Sequence, residues 1–158
     1  MNDVVRIIVT GEYDSLSDAV TKLSDGRRVE WRTLSVLEFE KISLKRQLFD
    51  QMLQHPFDWI VFTSAKTVGF WSEALQENKI IFPVETQVAC IGEKTARLAG
   101  HYGFNSGFYP TEPGSEKFLK EFKSLIHNQS LKPSVFIPMA EGGRTLIREG
   151  LMKLGCKV

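Results

Sequence analysis

The sequence predicts an α/β protein: a flavodoxin-like parallel sheet with helices on both faces. Three observations carry that expectation. Apolar runs without polar alternation recur, the clearest being Trp59-Ile60-Val61-Phe62, and such runs fit strands covered on both faces. Most are followed by a hydroxyl residue or glycine and then by apolar residues at helical spacing. The connections are short, which suits β-α-β units with right-handed crossovers.

Val4 to Thr10 reads as the first strand and Gly11 to Ser15 as a turn. Ser15 to Leu23 places Leu16, Ala19, Val20 and Leu23 on one helical face, with Ser15 a plausible N-cap and Asp25-Gly26 the stop. Val29 to Val36 is a second strand, whose Glu30, Arg32 and Ser35 suggest a sheet edge. Leu37 to Leu44 is a crossing segment, and Leu44 to Gln54 a helix with Leu48, Met52 and Leu53 inward, ended by His55-Pro56. Strand Trp59 to Phe62 follows, then a helix after Ser64 carrying Val68, Trp71 and Leu75. Gln87 to Ile91 is the next strand, Gly92 its turn, and Glu93 to Tyr102 a helix stopped at Gly103. Ser106 to Tyr109 is a short strand ended by Pro110. Glu116 to His127 has the cleanest apolar stripe, Phe118, Leu119, Phe122, Leu125 and Ile126, with Ser115 as candidate N-cap. Ser134 to Ile137 is a strand, Met139 to Gly143 a loop, Thr145 to Leu154 a helix closed by Gly155, and Lys157-Val158 opens a further strand.

The organisation is two-domain. Residues 37–158 supply four strands and the start of a fifth, nearly a whole second domain. Residues 1–36 supply one β-α-β opening of a first domain, which cannot bury a core by itself and is incomplete in this chain. The 158 residues are 42% hydrophobic and 25% charged, ordinary for a soluble globular protein. A net charge of +1 with scattered basic residues implies no nucleic-acid surface. No apolar run approaches the roughly 20 residues of a membrane span, and the N-terminus lacks a signal-peptide pattern. Cys90 and Cys156 lie far apart among apolar neighbours and read as buried thiols in a reducing cytoplasm.

In a parallel sheet all strand-to-helix loops emerge at one edge, where ligands bind. Here these are Thr10-Gly11, Thr63-Ser64-Ala65, Gly92 to Thr95, Thr111 to Ser115, and Ala140 to Arg144. They are rich in hydroxyls and glycine and poor in titratable groups. Backbone N–H groups, hydroxyls and a few cations suit a polycarboxylate or phosphate. No dinucleotide or P-loop glycine pattern is present, and no acidic residues end the strands as a receiver domain requires. His55, His101 and His127 are isolated, which argues against a metal site. Ser64 has no nucleophile elbow. Ser64 and Ser115 serve equally as plain N-caps, Thr95 as a first-turn residue with a local bond, and Lys66 and Lys94 as solvated lysines. Arg144 at a helix start opposes the dipole, which points either to a bound anion or to a carboxylate partner such as Glu141.

Taken in order, three stretches resemble the uroporphyrinogen-III synthase family. They are Phe62-Thr63-Ser64-Ala65-Lys66-Thr67-Val68, Ile91-Gly92-Glu93-Lys94-Thr95-Ala96, and Tyr109-Pro110-Thr111-Glu112-Pro113-Gly114-Ser115 continued through Phe136-Ile137-Pro138 to Gly155-Cys156-Lys157-Val158. The resemblance implies two α/β domains with the active site in a cleft, the chain starting in one domain, building the second and returning to the first. It implies cyclisation of hydroxymethylbilane, with inversion of the last pyrrole ring and loss of water, by a cytoplasmic monomer without metal or organic cofactor, with the preceding bilane-forming enzyme as a possible partner. Thr63, Ser64, Ala65, Gly92, Lys94, Thr95 and Ser115 would contact substrate, with Arg144 added from the reading above, and none is an essential acid or base. Gly11-Glu12 stands where the family often has an arginine. The alternative is a non-catalytic anion-binding or interaction module derived from that fold.

Overall fold

The computed structural model describes residues 4–10, 28–34, 40–43, 46–54, 57–127, 132–143 and 145–158. The predicted helix at Ser15–Leu23, the His55-Pro56 stop and Arg144 lie outside them. The chain divides into two compact units, Met1–Ile42 and Ser43–Val158.

In the smaller unit, β1 (Val4–Val9) and β2 (Arg28–Thr33) form a two-stranded parallel sheet. Their register runs unbroken from Val4 opposite Arg28 to Val9 opposite Thr33. Val9 is buried while Ile8, next to it, is 70% exposed. The cross-strand Arg6–Glu30 pair, at 3.7 Å and solvent-exposed, adds little.

The larger unit holds α1 (Arg46–Gln54), β3 (Trp59–Phe62), α2 (Ala65–Glu77), β4 (Gln87–Cys90), α3 (Glu93–His101), β5 (Ser106–Phe108), α4 (Ser115–Ile126), β6 (Val135–Phe136) and α5 (Leu146–Lys153). All pairings are parallel, in the order β5-β4-β3-β6. Lys157 bridges Ser134 in parallel beyond β6, so the predicted last strand begins where expected. Two successive crossovers carry the chain outward from β3 to β5, and the third returns it to the other side of β3. The winding therefore reverses between β3 and β6, the arrangement of a doubly wound sheet.

This reversal distributes the helices. All four residues of β3 are buried. Ile60 and Phe62 face a core containing Phe49 of α1, Val68 and Trp71 of α2, and Ala96 and Ala99 of α3. Trp59 and Val61 face the opposite core, built from Phe118, Phe122 and Ile126 of α4 and Ile147 and Leu151 of α5. Val88 and Cys90 against Ala89 repeat that alternation on β4. Phe118 and Phe122 stack at 5.3 Å, and Trp59 meets Phe122 edge-on at 5.2 Å. Each such side chain contributes about 1.5–3 kcal/mol by leaving water. Cys90 and Cys156 are free and buried, and burial pushes the Cys90 thiol up to about 11. Trp59 and Trp71 are core residues, although the Trp71 indole N–H has no hydrogen-bond partner among the described residues.

Two predicted inward residues are corrected. Leu53 is 43% exposed, and α1 is anchored instead by Phe49, which packs on Trp71 at 5.6 Å. Leu125 is 44% exposed, since the α4 stripe meets the core through Phe118, Phe122 and Ile126, with Leu119 partly buried beside them. At the amino-terminal end of the strands, Asp58 ties β3 to β6. Its carboxylate accepts from the Ser134 N–H and hydroxyl, both at 2.7 Å, and its own N–H donates to Ser134 Oγ at 3.1 Å. A small, almost wholly apolar cavity of about 30 Å³ lies at this same end, between α1, Trp71 and the Ile80–Pro83 connection.

Helices α4 and α5 meet closely: a Cβ on Gly150 would collide with the Leu119 side chain, whereas one on Gly100 in α3 would meet nothing within 4 Å. Gly100→Ala is therefore expected to stabilise by about 0.5–1 kcal/mol. Gly150→Ala is expected to lose about 1–3 kcal/mol by overpacking, which outweighs the same backbone gain. Urea midpoints of the two variants check this, and equal shifts would contradict it.

The Ser134 N–H first, and then its hydroxyl, hold the Asp58 carboxyl below its ordinary value of 3.8. A depressed folded-state value means that the stabilisation is fully present above the unfolded value and is lost as pH falls through the folded one. The denaturation midpoint of Asp58→Asn should therefore lie below wild type at neutral pH, with the gap closing below about pH 4.

Candidate functional site

Because every strand points the same way, the turns after β5, β4, β3 and β6 line up in that order along one edge. Four helix starts follow those turns, and the first three, those of α2, α3 and α4, are not alike.

The start of α2 is closed by its own side chain. Ser64 is the N-cap, in extended backbone, and its Oγ accepts from the Thr67 N–H at 3.1 Å and lies 2.7 Å from Thr67 Oγ1. This bears out the capping role, and it leaves the Ala65 N–H, earlier in the turn, without an acceptor four residues back. Thr63 is half-buried at the end of β3, and the Phe62 carbonyl beside it accepts from the Ile91 N–H at 3.0 Å.

The starts of α3 and α4 carry no side-chain cap. Gly92 is the N-cap of α3. The N-cap of α4 is Gly114, so Ser115 is the first helical residue and not the cap expected from sequence. Gly114 has φ 145°, a conformation side-chain-bearing residues rarely adopt, and this moves the cap one residue earlier. The two starts adjoin: a Cβ on Gly92 would stand 3.0 Å from Pro113 Cβ, and the Gly114 N–H reaches the Ile91 carbonyl at 3.4 Å. Gly92, Lys94, Thr95 and Ser115 are thereby brought to one place. Lys94 is exposed there, and Ser115 is half-buried. Thr95 is 6% exposed, so what it offers an outside ligand is its backbone N–H. Glu93 and Glu116 sit in the first turns of the two helices, Glu93 being bound to Arg97 at 2.7 Å.

After β6 the chain turns at Ala140–Gly143, closed by the Gly143 N–H on the Ala140 carbonyl at 3.0 Å. The α5 N-cap, Thr145, gives its hydroxyl to Glu149 at 2.6 Å and not to the helix backbone. Arg144 lies outside the described residues. Among the described residues no group of three or more His, Cys, Asp or Glu could hold a metal ion, and no helix is long and apolar enough to cross a membrane.

One residue of this edge escaped sequence reasoning. Glu121, on the second turn of α4, accepts from the Thr111 N–H at 3.1 Å and the Thr111 hydroxyl at 2.7 Å, and pairs with Lys117 at 3.1 Å. The Thr111 hydroxyl first, then Lys117 and the Thr111 N–H, hold its carboxyl below the ordinary value. Only the helical Lys117–Glu121 spacing was visible beforehand, and it gives no hint of Thr111.

The fold and this edge define a doubly wound α/β protein with a row of main-chain donors at the switch in winding, a class in which ligands bind outside the carboxyl ends of the strands. A family model described as uroporphyrinogen-III synthase HemD matches residues 26–158. The chain belongs to the uroporphyrinogen-III synthase family.

A uroporphyrinogen-III synthase of Synechococcus elongatus is 28% identical over 103 residues, 65% of this chain and 38% of the relative. A putative uroporphyrinogen-III synthase of Methanocaldococcus jannaschii is 29% identical over 96 residues, 60% of this chain and 39% of that protein. Crystal structures of Thermus thermophilus uroporphyrinogen III synthase share the fold. A mutant form gives a TM-score of 0.63 at 14% identity and the wild type 0.58 at 15%, each over 95% of this chain and 57% of that one. The match thus spans well under half the length of the curated relatives.

Ser64→Ala removes the only side-chain cap among these three starts. It is expected to cost about 1 kcal/mol, with Ser64→Asp restoring most of it, measured as urea midpoints. An alanine variant as stable as wild type would show that the cap contributes nothing.

Proposed function

We propose that this chain supplies one wall of the substrate site of a uroporphyrinogen-III synthase, acting on hydroxymethylbilane. The observation that carries the reading is the pair of adjoining uncapped helix starts, at Gly92 and Gly114, on the same edge as the capped start at Ser64. Family membership says which reaction such an edge would serve.

The substrate is a linear tetrapyrrole bearing eight carboxylates. Uncapped starts present first-turn N–H groups, here those of Glu93, Lys94 and Thr95 on α3 and of Ser115 to Lys117 on α4, with the helix dipole favouring negative charge. Ala65 adds a donor, and Thr63, Ser64 and Lys94 border them. Carboxylates held at several such points would fold the bilane so that the terminal hydroxyl leaves as water and the methylene left behind bonds to the substituted carbon of the last ring, giving a spiro intermediate whose opening and reclosure leave that ring inverted. This is catalysis by positioning, to which effective molarity alone contributes several kcal/mol, and it needs no acid or base from this wall. Arg144 would add charge beside the Ala140–Gly143 turn. We place the reaction in the cytoplasm, fed by the bilane-forming enzyme. Residues 1–36 open the other domain, since the two strands of β1 and β2 cannot form a core alone.

Turnover by the intact protein, coupled to the bilane-forming enzyme, should give the type III isomer, and only the type I isomer would refute the assignment. Because binding is shared among many main-chain donors, Ser64→Ala should lower kcat/KM by less than about tenfold, the loss of one ordinary hydrogen bond. A fall of several orders of magnitude would show that one hydroxyl dominates.

A further inference from the structure

We infer that Glu121 is a positioning residue for this site: by gripping Thr111 at two points it holds the loop that sets the start of α4 against the start of α3. The inference rests on the proposed reading of that edge as the anion-binding wall.

The loop runs from the end of β5 at Phe108 to the N-cap Gly114. Its joints are unequal. Pro110, which is buried, and Pro113 have φ fixed by their rings. Gly114, at φ 145°, has no Cβ to restrict it, so the last joint before α4 is the loosest. The Gly114 carbonyl is held within α4 by the Phe118 N–H at 2.9 Å, but the bond from this joint towards α3, Gly114 N–H to the Ile91 carbonyl, is long at 3.4 Å. What fixes Thr111 relative to α4 is Glu121, ten residues away, with one oxygen on the Thr111 N–H at 3.1 Å and the other on its hydroxyl at 2.7 Å. Lys117 at 3.1 Å steadies the same carboxylate from one turn earlier. Hydrogen bonds to an ionised acceptor are the stronger kind.

Two consequences follow from the geometry. The Thr111 hydroxyl is committed to Glu121 at 2.7 Å and is not a ligand donor. Both Glu121 oxygens are engaged, so its influence on a ligand passes through Thr111 and the spacing of two helix starts. Lys117 shares the carboxylate but holds no part of the loop, so its removal should matter less than that of Glu121.

The test compares Glu121→Ala, Glu121→Gln and Lys117→Met in the full chain, by amide hydrogen exchange and by binding of uroporphyrin III as an octacarboxylate probe. In Glu121→Ala, Thr111 and Ser115 to Lys117 should exchange about tenfold faster with β3 and β4 unchanged, as for a local opening. Affinity for the probe should fall roughly 3- to 30-fold, the range by which residues outside a binding site modulate it. Glu121→Gln keeps a carbonyl oxygen for Thr111 and should recover most of both, and Lys117→Met, which keeps the main-chain N–H, should speed Thr111 exchange less than Glu121→Ala does. Unchanged exchange in Glu121→Ala, faster exchange throughout the unit, or unchanged affinity despite a loosened loop would each overturn the inference. Failure of wild type to bind the probe would instead refute the reading of the edge, with exchange still deciding whether Glu121 tethers the loop.

Discussion

Strand β3 has no face turned to water, and the larger unit is arranged around that constraint. Trp59 and Val61 need cover on one side, Ile60 and Phe62 on the other. Helices that only follow one another outward would cover one face. The chain meets the demand by reversing after β5, so that α4 and α5 reach the second face and β6 takes the open side of β3. The reversal has a second result, because it opens the winding beside the turn at Thr63-Ser64. Burial of four apolar residues and the position of the proposed ligand edge thus have one cause. The Asp58–Ser134 clamp secures the same β3–β6 seam from the far end, where the cavity of about 30 Å³ is lined almost wholly by apolar residues.

Along that edge, glycine does more than the hydroxyls. A serine cap such as Ser64 consumes a first-turn donor in satisfying the helix. A glycine cap such as Gly92 or Gly114 satisfies none, and so leaves the donors for a ligand. Absence of a side chain also lets Pro113 rest on Gly92, which sets two such starts side by side. The hydroxyl-rich loops stand along one edge as expected, but what that edge offers an anion is main-chain donors more than hydroxyls. Ser64 is chiefly structural, Thr95 is inside, and Ser115 stands after the cap.

Element type and order were legible because the two periodicities are strong here. The apolar runs at Trp59–Phe62 and Gln87–Cys90, and the helical stripes ending at Gly103 and Gly155, fell where composition put them. Finer detail was not legible wherever a tertiary contact decides. Leu53 and Leu125 satisfy helical spacing yet face water, while Phe49 anchors α1 and Phe118, Phe122 and Ile126 are the buried residues of α4. The cap at Gly114 depends on a backbone angle that Ser115 disguises. The Asp58–Ser134 pair is separated by 76 residues and the Thr111–Glu121 pair by ten, and no local pattern announces either. Order of motifs, not any single motif, is what pointed to the family.

The central claim is that main-chain donors at the starts of α2, α3 and α4 hold a polycarboxylate. The most direct measurement is a titration of the ¹⁵N-labelled chain with uroporphyrin III, followed by amide chemical shifts. The account predicts that the largest changes fall on the first-turn amides at Ala65, Glu93 to Thr95 and Ser115 to Lys117. Changes centred on the amino-terminal end of the sheet, around Phe57 and Pro83, or spread evenly over surface lysines would contradict it.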